Sequence, residues 1–218
     1  MKKGKIESVF ILDRSGSMGS VWNDAKNSFG SFLKEQKESG NDVNITFVTF
    51  NSKPRTEIDN VHVSDVNESV MNGINPNGFT ALYDAIGKTF DSIGERLSKT
   101  PEEEKPEKVI VGIMTDGFEN ASKDYNASRI KEMIKHQEEV YNWDVIFFGA
   151  NQDSFLTAGN IGIRTSNVAN YVNGKDGLNT SYSLYSARVS AGASDVSLHD
   201  IARKRSREEM KGVDIGGK

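Results

Sequence analysis

A doubly wound α/β domain, with a mostly parallel sheet and one antiparallel edge strand, is predicted by three features of the sequence. Apolar runs such as Val9-Phe10-Ile11-Leu12 and Val145-Ile146-Phe147-Phe148 lack polar alternation, the pattern of strands covered on both faces. Segments with a helical apolar period lie between these runs, as the crossovers of a parallel sheet require. Residues 55–63 are polar in character and follow a turn, which marks them as the strand returning antiparallel at an edge.

Taken in order, residues 6–12 form a first strand whose apolar end places it centrally. Trp22, Ala25, Phe29, Phe32 and Leu33 recur at helical spacing until Gly40, which suits a helix C-cap; Trp22 reads as core. Residues 42–50 alternate Val43, Ile45 and Phe47 as a second strand, and Asn51-Ser52-Lys53-Pro54 turns the chain into the edge strand. Ser64 is placed to cap a short helix running to Val70. Thr80 closes the loop at residues 75–80, at the N-cap of a helix bearing Leu82, Ile86, Phe90, Ile93 and Leu97. The charged, proline-bounded residues 101–106 form a surface connection. Residues 109–114 are a buried strand, followed by a helix with Ile130, Met133, Ile134 and Tyr141 on one face. After the strand at 145–148 come a short helix around Phe155, Leu156 and Ala158, a strand at 168–172, and a helix face of Leu178, Tyr182, Tyr185 and Val189.

The chain of 218 residues suits one domain, assigned to residues 1–192, with a charged helical extension at 193–218. In that tail Arg203, Lys204, Arg205 and Arg207 stand beside Glu208 and Glu209, and interleaved signs favour a solvated helix over a nucleic-acid site. A net charge of -4 gives the molecule no field that favours nucleic acid or an anionic membrane. The absence of cysteine removes disulfides, thiolate metal sites and cysteine nucleophiles together, and agrees with a cytoplasmic location. No apolar run approaches transmembrane length, and the N-terminus lacks a signal-peptide hydrophobic stretch.

Two of the buried strands end in oxygen-bearing loops. Asp13-Arg14-Ser15-Gly16-Ser17 follows Leu12, and Thr115-Asp116-Gly117 follows Met114. Asp and Ser also form ordinary turns, but a carboxylate and two hydroxyls at alternate positions make a set of hard donors that suits Mg²⁺ or Mn²⁺ better than zinc. In doubly wound sheets ligands collect beyond the carboxyl ends of the strands, where the winding reverses. If these two strands flank that reversal, Asp13 and Asp116 face each other.

Asp13-x-Ser15-x-Ser17, the threonine in Gly78-Phe79-Thr80-Ala81-Leu82, and Thr115-Asp116-Gly117, in that order, resemble the metal ion-dependent adhesion site of von Willebrand factor type A domains. The resemblance covers roughly residues 5–172 and implies the Rossmann-like fold of that family. It implies that Ser15, Ser17 and, in at least one state, Thr80 bind Mg²⁺ through their hydroxyls, with Asp13 and Asp116 acting directly or through water. Mn²⁺ and Ca²⁺ are the other hard cations such a site accepts. The wording of residues 115–120 and of Gly149-Ala150-Asn151-Gln152-Asp153 is similar to bacterial and bacteriophage members.

A divalent ion offset by two carboxylates should still attract an anionic ligand, so the expected function is a metal-dependent module that captures an Asp or Glu of a partner protein. Arg14, Phe79, Glu119, Asn151 and Gln152 are the candidate rim of that contact. Four of these have a plainer reading: Arg14 pairing with a surface acid, Phe79 buried, and Asn151 and Gln152 forming a turn with a helix cap through Asp153. Two other classes stand beside this one, a scaffold that self-associates as a homo-oligomer through its C-terminal segment, and a metal-dependent phosphohydrolase. Against the enzyme, His62, His136 and His199 fall outside the metal motifs, and no phosphate-cradling Gly-x-x-x-x-Gly-Lys pattern occurs.

Overall fold

The computed structural model describes residues 1–150, 154–192, 194, 196–204 and 211–215. Seven strands form one sheet: β1 (Lys2–Asp13), β2 (Val43–Phe50), β3 (Pro54–His62), β4 (Pro106–Thr115), β5 (Asp144–Gly149), β6 (Val168–Tyr171) and β7 (Val213–Ile215). Their order is β3-β2-β1-β4-β5-β6-β7. β1 pairs parallel with both β2 and β4, so the chain winds to one side of β1 and then crosses to the other. The expected reversal of winding therefore lies between β1 and β4. Their register sets Leu12 opposite Met114, which brings the loops that follow both strands to one edge.

Alternation along β1 sends Phe10 and Leu12 to one face and Val9 and Ile11 to the other, so each face has its own core. The first is covered by α1 (Trp22–Ser39), α5 (Lys175–Ala191) and α6 (Leu198–Lys204), and the second by α2 (Leu82–Lys99), α3 (Ala127–Tyr141) and α4 (Ser154–Asn160). The C-cap expected at Gly40 is present, with the residue in the left-handed region at φ 71°. Gly112 in β4 serves a different need: a methyl group there would lie 2.7 Å from the Tyr185 ring, so α5 packs closely on the sheet because that position has no side chain. Among the described residues no helix is long and apolar enough to cross a membrane.

The antiparallel edge expected at residues 55–63 is β3. Three local expectations are corrected. The helix from Ser64 to Val70 is two 3-10 turns, Val63–Asp65 and Glu68–Met71. Between them Val66 is extended, and the Asn67 side chain accepts from the Ser69 amide, a local bond that competes with helix propagation. Thr80 is not the cap of α2; Ala81 holds that position and supplies no side-chain cap. The tail is not simply a solvated helix. Leu198 and Ile201 of α6 are buried, and β7 pairs antiparallel with β6, which adds a second antiparallel strand at the other edge. Arg205, Arg207, Glu208 and Glu209 lie outside the described residues.

Candidate metal centre

Asp13 ends β1 fully buried, and the turn that follows folds back on it, the Ser15 amide donating to Oδ1 at 2.6 Å. Thr115, at the end of β4, donates its hydroxyl to Asp13 Oδ2 at 2.7 Å, so the two strand ends are joined through the carboxylate. Ser15 Oγ lies 3.1 Å from Ser17 Oγ, and Ser17 Oγ donates to Asp116 Oδ1 at 2.6 Å. Thr80 enters from the third loop, its side chain buried.

Gly117 shows where these groups converge. A methyl group at that position would lie 2.9 Å from Thr80 Oγ1 and 3.7 Å from both Asp13 Oδ2 and Ser17 Oγ. Oxygens of two loops thus converge on the glycine of the third, in a small cradle kept open by the missing side chain, and Asp116 joins them through Ser17. An octahedral ion with oxygens at about 2.1 Å requires neighbouring ligands about 3.0 Å apart. The Ser15–Ser17 and Ser17–Asp116 separations of 3.1 and 2.6 Å bracket that spacing. The donors are carboxylates and hydroxyls only; among the described residues no group of three or more His, Cys, Asp or Glu side chains is placed to hold a metal. The residues therefore fit a hard divalent cation.

The electrostatics point the same way. Burial pushes the Asp13 carboxyl up to about 6, against the Thr115 hydroxyl and Ser15 amide that favour its charged form, and nearby Asp116 adds to the rise. Burial likewise raises Asp116, partly offset by the Ser17 hydroxyl. Two adjacent carboxylates thus lack compensating positive charge, which a divalent ion would supply.

Residues absent from the expected ligand set hold the loops in place. Asn120 accepts from the Thr80 amide at 2.9 Å and returns its own amide to the Thr80 carbonyl at 3.0 Å. The first turn of α2 is capped from this same loop: the Tyr83 amide donates to Glu119 Oε2 and the Asp84 amide to Ser122 Oγ, both at 3.0 Å. The cap that Thr80 does not provide thus comes from residues 119–122, and the Thr80 hydroxyl is left to the cradle. The Gly16 amide donates to the Gly78 carbonyl and the Asn77 amide to the Arg14 carbonyl, which ties the first loop to the Thr80 loop.

Of the candidate rim, Phe79 is exposed. Arg14 is half-buried, and its Nε donates to Thr49 Oγ1 at 3.2 Å beside the edge strand. Burial lowers its pKa, and Glu57 acts in the opposite sense. The Glu119 carboxylate is engaged within the fold, accepting also from the Ala121 and Ser122 amides and the Ser122 hydroxyl. Asn151, Gln152 and Asp153 lie outside the described residues. Phe118, exposed next to Gly117, has no counterpart among the expected residues; its sequence signal was a large apolar side chain inside a polar loop.

Comparison with known proteins bears on the same span. A family model, the von Willebrand factor type A domain, matches residues 9–180. Among solved structures, a D319A mutant of the PilB minor pilin from Streptococcus sanguinis aligns with a TM-score of 0.61 at 14% identity, covering 87% of this chain and 62% of the pilin chain. Proximal thread matrix protein 1 from the mussel byssus aligns with a TM-score of 0.62 at 16% identity, covering 86% of this chain and 46% of that one. A structure of the same byssus protein with a zinc-occupied MIDAS motif aligns at 0.60 and 18% identity, with the same coverage of 86% and 46%. This chain thus spans less than two thirds of either protein, and at such identities the likeness is one of fold. No curated protein matches.

Proposed function

The chain belongs to the von Willebrand factor type A domain family, and on that premise we propose that it is a divalent-metal-dependent protein-binding module. Asp13, Ser15, Ser17, Thr80 and Asp116 make up its complete metal site, for Mg²⁺ first and for Mn²⁺ or Ca²⁺ as the other hard cations. An Asp or Glu of a partner protein supplies a further oxygen. The observation that carries this reading is the meeting of hydroxyls and carboxylates from three loops at the cradle beside Gly117.

When bound, the ion supplies the positive charge that draws an anionic side chain. The chain's own residues do the positioning. Thr115 fixes Asp13, Ser17 spans to Asp116, and Asn120 holds the backbone of Thr80 from both sides. Zinc in the motif of the byssus protein supports a divalent ion in this fold, while the all-oxygen donor set here favours Mg²⁺.

A binding role fits the surroundings of the site better than hydrolysis. His62 pairs with Ser64 after β3, His136 packs against Tyr141 on α3, and His199 lies on α6, so no histidine among the described residues joins the cradle. The structural neighbours, a minor pilin and a matrix protein, support the same choice. We propose further a member of the bacterial or bacteriophage branch, on the wording of residues 115–120 and 149–153, and a cytoplasmic location, with which the cysteine-free composition is compatible.

The test is calorimetric titration of Mg²⁺ into chelator-treated protein, wild type and Asp13→Ala, followed by affinity capture from native cells in Mg²⁺ and in chelator. A bound protein lost from both the variant and the chelator arm supports the reading. Equal capture in all arms overturns it.

A further inference from the structure

We propose that the partner segment presents its Asp or Glu flanked by apolar side chains, which are received by Phe79 and Phe118. This inference rests on the metal-dependent reading above and specifies what that site recognises.

The chain has eleven phenylalanines. Eight are buried, Phe155 is partly buried against the second core, and only Phe79 and Phe118 are exposed, at 67% and 54%. Both exceptions sit in the metal loops, Phe79 directly before Thr80 and Phe118 directly after Gly117. The two loops are joined by the reciprocal Thr80–Asn120 bonds and meet where Gly117 faces Thr80 Oγ1.

A loose loop does not account for this exposure. The Phe79 amide donates to Ser52 Oγ at 3.1 Å, and the Gly78 carbonyl before it accepts from Gly16. Gly78 holds φ at 76°, and a side chain there would press on Ser52 Oγ at 3.0 Å, so the turn that presents Phe79 is defined by its backbone. On the other loop, Asn120 anchors the chain two residues beyond Phe118.

Aromatic rings carry large apolar area at little conformational cost, and they are favoured where a partner is held. Here two of them stand beside the place that seeks an anion. The metal selects a carboxylate, and the rings select what surrounds it. A segment with a bare acidic residue would engage only the ion. One with apolar neighbours on either side of the acid would also cover the rings and exclude water around the charge contact.

The test uses two synthetic pentapeptides with a central glutamate, one flanked by leucines and one by serines. Binding is measured by NMR titration to wild type, Phe79→Ser and Phe118→Ser, each saturated with Mg²⁺, and to wild type in chelator. Both positions are solvent-exposed, so the variants keep the core intact. The expected result is Mg²⁺-dependent binding of the leucine peptide at least about tenfold tighter than the serine peptide, reduced about tenfold by loss of either ring. Equal affinity for the two peptides, insensitivity to both substitutions, or no binding of either peptide to Mg²⁺-saturated protein overturns the aromatic recognition and leaves the metal site standing. Failure of the wild type to take up Mg²⁺ at all overturns the metal-dependent reading, and this inference with it.

Discussion

Asp13 and Asp84 are both buried aspartates at the same edge of the fold, and their surroundings treat the charge in opposite ways. Burial acts to raise both. At Asp84 it is outweighed by three backbone amides, those of Lys123, Asp124 and Tyr125 at 2.9–3.0 Å, and the pKa is lowered. At Asp13 the deeper burial outweighs the Thr115 hydroxyl and the amide and hydroxyl of Ser15, and holds the carboxyl at about 6. The difference separates a carboxylate whose charge the fold compensates from one whose charge it does not. Asp84 is a pin whose charge the chain has already compensated, fastening residues 123–125 to α2. On the function proposed above, a bound cation would supply the compensation that the chain does not give Asp13.

The largest test removes the pin. Asp84→Ala should lower stability in urea denaturation by about 3 kcal/mol, since three charge-assisted bonds are lost together. Asp13→Asn in chelator should cost far less. A comparable loss in both would erase the contrast. Second in size, Mg²⁺ at a hundred times its dissociation constant should stabilise the wild type by about 2.7 kcal/mol and leave Asp13→Asn unmoved in a thermal melt. Stabilisation of both proteins would place the ion elsewhere.

The pH dependence runs in opposite directions at the two residues. The folded pKa of Asp13 lies above its unfolded value near 3.8, so the folded state holds that proton more tightly. Its contribution to stability is fully present below about pH 4 and is lost as the pH rises towards about 6, an effect on the order of 2 kcal/mol. For Asp84 the folded pKa is depressed, so its contribution is present above the unfolded value and lost as the pH falls through the folded one. Urea titrations of metal-free protein from pH 4 to 8 should show the Asp13 limb in the wild type and not in Asp13→Asn. Its persistence in the variant would assign it to another group. Smallest of all, Ser122→Ala should cost about 1 kcal/mol in the same assay, as loss of a helix cap does. No change would show that the cap on α2 is redundant.

The same contrast shows how far the sequence could be read. The strands announce themselves through continuous apolar runs, and the loops carrying Asp13, Thr80 and Asp116 follow from where those runs stop. The support around them is less visible. Asn120 meets Thr80 across 40 positions, Glu119 meets Tyr83 across 36, and Asp84 meets Tyr125 across 41. Such bonds join a side chain to a distant backbone and leave no periodic trace. Thr80 shows the consequence: its place before an apolar helical pattern satisfied the local rule for a cap, while Glu119 and Ser122 supplied the cap from elsewhere. β7 escaped for another reason, because three residues with two apolar side chains carry too little pattern to separate from a charged tail.

β7 also bears on what the borders of the sheet offer to another strand. An open sheet invites further strands to add along its borders, the route to fibrous aggregates. At one border β7 covers β6 and, among the described residues, presents three residues to the next chain. At the other, β3 is broken in register and kinked by Asn60 at φ 52°, with charged Arg55, Glu57 and Asp59 along it. Both borders, as far as the described residues go, are poor templates for lateral growth by backbone pairing.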